Sequence, residues 1–138
     1  MKKLMICCLV LFLFSACQWS SAPRTLERIE IECAETRLDA GFAFHERAKE
    51  LFRSYYKTRK ESELFYAWYS SEDSNYMANS VRRCFDKKNK HFYAVRSLFQ
   101  KNRTLQKLIV QNMRQDSQAQ LSELYLDEYR EIFVRDIQ

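Results

Sequence analysis

Residues 25–60 read TLERIEIECAETRLDAGFAFHERAKELFRSYYKTRK. Leu26, Ile29, Cys33, Ala40, Phe44, Ala48, Leu51 and Tyr55 recur at helical steps and make one apolar stripe. Thr25 is the expected N-cap, with Arg28 instead of an acid at the capping-box position. Glu27, Glu30 and Glu32 favour the helix start through the macrodipole. Gly41 lies inside the stripe at a cost of about 1 kcal/mol against Ala. Its presence predicts a kink or a close helix crossing. The pattern fades at Lys57–Lys60.

Outward from this stretch, punctuation is scarce. The chain holds one Gly and one Pro, and neither occurs from Phe42 to Gln138. An all-β domain needs turn residues about every 8–12 positions, whereas helices joined by polar connectors need none. The fold class predicted is all-α, a small bundle of four to five helices within one domain, 25–138. After the first helix, a short one is expected at about 61–70, with Leu64, Phe65 and Trp68 inward. Ser70–Ser74 reads as a connector. A third helix is expected from about Asn75, with Met77, Val81, Cys84, Phe92, Val95 and Phe99 on one face. Lys88 falls on that face, and Asp86–Lys90 is a candidate break. Asn102 reads as the N-cap of a segment carrying Leu105, Leu108, Ile109 and Met113. Gln115–Gln120 reads as a turn. A last helix at about 119–135 has Leu121, Leu124, Tyr125, Ile132 and Phe133 as its apolar side.

Motifs for chemistry are sparse. The two histidines, His45 and His91, have no second metal ligand at a recognised spacing. There is no Glu-x-x-His pair for a di-iron bundle and no Cys-x-x-Cys-His for haem. A single glycine cannot build a phosphate-cradling loop. No catalytic residue, metal or cofactor is assigned, and an enzyme is not expected.

Charge is uneven. Arg82–Gln115 carries ten basic residues and one acid, and Asp116–Gln138 carries six acids and two arginines. Arg82, Arg83, Lys87, Lys88 and Lys90 form a tight cluster suited to an anionic surface or an acidic partner. The competing reading is a solvated face balanced by the acidic last helix. Aromatic residues exceed what the stripes use: Phe42, Tyr56 and Tyr93 point away from them, and Tyr66 and Tyr69 flank the inward set of the short helix. Such rings either build a second core face or form a patch or groove for a partner, where Tyr and Arg are frequent anchors.

The N-terminus, MKKLMICCLVLFLFSAC over residues 1–17, has two lysines, an apolar run from Leu4 to Phe14, then Ser15, Ala16 and Cys17. This is a secretory signal layout, too short to span a bilayer. Phe14–Cys17 resembles the lipobox of bacterial lipoproteins, with Phe where Leu is usual. The resemblance implies cleavage after Ala16 and a lipid on Cys17, giving a signal peptide at 1–16 and a lipidated tether at 17–24. Gln18 stands where Asp would direct retention in the inner membrane, so the analogy implies the periplasmic side of the outer membrane. Loss of Lys2 and Lys3 leaves 21 basic and 18 acidic residues, too mild a balance to argue for nucleic acid. Cys7 and Cys8 leave with the signal. Cys33 and Cys84 then remain as a pair in an oxidising compartment, on the apolar stripes of two helices, and are expected to be bridged.

A small anchored domain without chemistry is expected to act by binding a protein of the cell envelope, with no small-molecule substrate. In size and layout it is similar to pilotin-type lipoproteins, which implies an adaptor or assembly factor. The alternative is a blocker, such as a plasmid exclusion lipoprotein or an inhibitor of a wall-degrading enzyme.

Overall fold

The computed structural model describes residues 26–84 and 91–133. Among these residues the chain forms four α-helices and one 3-10 turn, with no strand, so the protein is an all-α bundle. The helices are α1 (Leu26–Thr58), α2 (Glu61–Ser80), α3 (Phe92–Asn112) and α4 (Gln115–Phe133), and the 3-10 turn is Val81–Cys84. Cys17, the expected N-cap Thr25, and Lys87, Lys88 and Lys90 lie outside the described residues. No described helix is long and apolar enough to cross a membrane.

α1 ends without a glycine. Arg59 takes the left-handed conformation (φ 54°) and donates its N–H to the Tyr55 carbonyl at 2.8 Å, closing the helix. A side chain there costs about 1–2 kcal/mol. The Arg59 guanidinium lies over the rings of Tyr55 and Tyr56, which offsets part of that cost. The chain then reverses through Lys60 into α2.

α2 is where the sequence reading is corrected. It runs unbroken to Ser80, so Ser70–Ser74 is helix and not a connector. Ser70, Ser71 and Ser74 are buried, beside Ala67 and Ala78, along the face that meets its neighbours. The reason is close approach. A Cβ on Gly41 of α1 would lie 2.9 Å from Leu98 Cδ2 and 3.4 Å from the Ser74 carbonyl oxygen. Gly41 thus marks a crossing too tight for a side chain. Small residues on α2 permit it, and their hydroxyls are satisfied by backbone: Ser74 donates to the Gly41 carbonyl (2.7 Å), Ser70 to Phe44 (2.9 Å) and Ser71 to Trp68 (2.6 Å).

Two apolar clusters lie along the bundle. One gathers Ala34, Leu38, Ala78, Val81, Cys84, Val95 and Leu98 around the disulfide end. Cys33 and Cys84 are bonded there, with Cα atoms 5.7 Å apart and 51 positions between them in sequence. Phe42 packs against this cluster, so that ring builds a second core face. The other cluster gathers Leu64, Trp68, Leu105, Ile109, Met113, Leu121 and Ile132.

Three further expectations are corrected. Asn102 lies inside α3, fully buried, and caps nothing. Gln115–Gln120 is the opening of α4; the turn is at Met113–Arg114, and the Gln118 amide caps α3 by donating to the Val110 and Met113 carbonyls. Phe92, Leu108 and Leu124 stand substantially exposed instead of inward. Each lies toward the outer edge of its helix's apolar arc, where its described neighbours leave it partly open.

Candidate functional site

The inward turn of the small residues dictates what α2 shows outside. On a helix that buries positions 67, 71, 74 and 78, positions 66, 69, 73 and 76 must face solvent. Tyr66, Tyr69 and Tyr76 are accordingly 60%, 40% and 62% exposed. With Asp73 they form a line along α2, a ridge of hydroxyl-bearing rings. On the α1 side the line borders a recess of ≈ 180 Å³ formed with Phe44, Arg47 and Leu51. On the other side Tyr76 is one wall of a larger cleft of ≈ 590 Å³ between α2, α3 and α4.

The cleft is built on buried amides. Asn102 Nδ2 donates to Ser74 Oγ (2.9 Å) and to Asn75 Oδ1 (2.8 Å). Its Oδ1 therefore faces His45 Nδ1 and accepts that proton at 2.7 Å. One turn on, Gln106 Nε2 donates to Ser71 Oγ (2.9 Å) and to the Glu72 carboxylate. Asn75 Nδ2 donates to the Tyr129 hydroxyl at 3.1 Å, and that hydroxyl donates to Glu72. α4 leaves helical geometry at Tyr129 (φ −126°, ψ 31°), where the ring turns into the bundle against Trp68.

The electrostatics follow from this burial. Glu72 is pushed above the usual carboxylate range, first by burial; hydrogen bonds from Tyr129 and Gln106 oppose the shift, and the Glu128 charge adds to it. Tyr129 is pushed far above the usual phenol range, by burial and by its bond to Glu72. Phe99, Tyr76 and Tyr129 supply the aromatic walls. Arg103 lies over the Tyr129 ring, 5.1 Å from its centre. Among the described residues, no three His, Cys, Asp or Glu side chains gather as a metal site would require.

The sequence-predicted residues divide between two places. Tyr66 and Tyr69 are together on the α2 line. Tyr93 is 79% exposed on the first turn of α3, edge-on to Phe92, at the disulfide end. Arg82 and Arg83 are exposed on the 3-10 turn before it. The structure therefore does not unite Tyr93 with Tyr66 and Tyr69, which lie beside Arg47 and Leu51. Sequence reasoning missed Tyr76, Glu72, Asn75, Gln106 and Tyr129. The signal was present for Tyr76. Continuing the helix through the serines puts it on the same face as Tyr66 and Tyr69.

The chain matches no protein-family model, no curated protein and no solved structure.

Proposed function

We propose that this protein is a lipoprotein anchored through Cys17 at the periplasmic side of the outer membrane, where it acts as an adaptor or assembly factor by binding a protein of the envelope. The observation that carries the binding reading is the tyrosine line of α2, three exposed rings in register on one helix with a recess on either side. Exposed tyrosine gives a large, stiff contact area with a polar tip, the composition favoured at protein interfaces. The line's convexity also favours a second reading, a blocker that inserts this ridge into a partner's cleft. The converging ionisable groups beside Tyr76 support an enzyme less well. Glu72 is held by Tyr129, Gln106 and Asn75, which suits it to a fixed electrostatic role more than to proton transfer.

The test is a photo-crosslinking phenylalanine analogue at Tyr69, in cells. The expected result is one dominant envelope protein, captured at least fivefold less in the Tyr66→Ser/Tyr76→Ser background. Equal capture from a probe at exposed Gln111 on α3, or no product, overturns the reading. A captured secretion or pilus component whose level falls without this protein selects the adaptor. A captured wall-degrading enzyme that is freed by its loss selects the blocker. Separately, wild type should incorporate palmitate and Cys17→Ala should not; equal membrane association of the two sinks the anchor.

A further inference from the structure

We infer that the cleft beside Tyr76 receives a lysine or arginine side chain from the bound partner segment, held between Glu72 and Glu128 and against the aromatic walls. The source of that side chain rests on the tyrosine line being the docking face; the chemistry of the cleft stands independently.

Carboxylates outnumber cations there. Glu72 and Glu128 both line the cleft, facing one guanidinium, Arg103. Gln106 is fully buried and spends its amide N–H groups on Ser71 and Glu72, and its Oε1 has no hydrogen-bond partner among the described residues. A buried acceptor left empty is costly and calls for a donor. Burial disfavours the charged form of Glu72, and an arriving cation would favour it. The walls suit such a guest. Tyr129 already carries the Arg103 guanidinium over its ring, and Tyr76 stands 62% exposed at the rim. A primary ammonium or a guanidinium brings the donors and the charge together. An anionic or purely apolar guest would leave Gln106 Oε1 empty.

The experiment uses the full-length mature protein in detergent, with ethylguanidinium and n-butylammonium chloride as probes and n-butanol as the neutral control. The expected result is saturable movement of the Asn75, Asn79 and Gln106 side-chain amide resonances with either cation and not with butanol. Glu128 is exposed, so Glu128→Gln should fold normally and weaken binding at least threefold. Tyr66→Ser, outside the cleft, should leave it unchanged. Equal response to butanol, movement at other residues only, or no effect of Glu128→Gln overturns the inference. The two readings separate cleanly. Cation binding kept while Tyr69 crosslinking fails overturns the docking face alone. Crosslinking kept while cation binding fails overturns the cleft alone.

Discussion

α3 and α2 both pack on α1, yet they bury different chemistry. α3 turns Val95, Leu98, Leu105, Ile109 and Val110 inward and keeps Arg96, Lys101 and Thr104 outside. α2 turns four serines and two alanines inward beside Leu64 and Trp68, and shows three tyrosines to solvent. The difference is distance. Where backbones lie close enough for a Ser74 hydroxyl to reach the Gly41 carbonyl at 2.7 Å, no large side chain fits between them. Burial on α2 is set by size, with each hydroxyl satisfied by a backbone carbonyl. Burial on α3 is set by apolar area. Excluded from the tight seam, the tyrosines of α2 collect on its outer face.

That contrast can be broken most directly at the disulfide. The serine seam carries no large apolar side chain, so the covalent closure beyond the end of α2 should supply a large share of the grip of α2 on α1. Replacing Cys33 and Cys84 by Ala should cost about 4 kcal/mol in the chain-entropy model for a loop of this length. Urea denaturation of the two forms measures it, and reduced wild type should behave like the double variant. A loss below about 1 kcal/mol would mean that the seam holds unaided.

Asn102 sharpens the comparison next, because it and Gln106 are where α3 adopts the habit of α2 and buries a polar side chain. Asn102→Ala strands the buried His45 Nδ1–H and leaves the part-buried Asn75 amide oxygen without its donor. At about 1–3 kcal/mol for each unsatisfied group, partly relieved by relaxation, a loss of about 3 kcal/mol is expected. Chemical denaturation would show it; a near-neutral result would mean that this polar network contributes little to stability.

The smallest effect expected is at Glu72. Its carboxyl binds a proton more tightly in the folded chain than in the unfolded one. Wild-type stability from this group is therefore fullest below the ordinary carboxylate range and declines as pH rises through the elevated folded value. Glu72→Gln has no proton to lose. Its stability relative to wild type should improve from acidic to neutral pH, read from paired melts across that window. A constant difference would remove Glu72 as a strained member of the cleft.

The helical class was legible because absence is informative. Without Gly or Pro after Gly41 and Pro23, a strand-and-turn architecture has nothing to turn on, and helices do not need it. The pairing of Cys33 with Cys84 was legible from the stripes they share. The serines were misread because polarity was taken as exposure, and nothing local in Ser70–Ser74 reveals that a glycine 33 positions before Ser74 waits across the crossing. Asn102 was misread for the same reason: a helix-capping residue type gives no sign, in one dimension, of partners on two other helices. Two of the three tyrosines of the line, Tyr66 and Tyr69, were found. Tyr76 was lost with the helix that should have carried it. The cleft was invisible, since its members are spread over three helices and joined only by tertiary bonds.

α1 has one more consequence. It is 33 residues long, and Arg47, beside Tyr66 and Tyr69, is 21 residues from its start. At about 1.5 Å per residue the tyrosines ride about 32 Å along this rod from its first turn. If the first turn is moored to a bilayer by the few residues after Cys17, the rod acts as a ruler. It would fix the height at which the protein meets its partner, and only structures rising to that height could be reached.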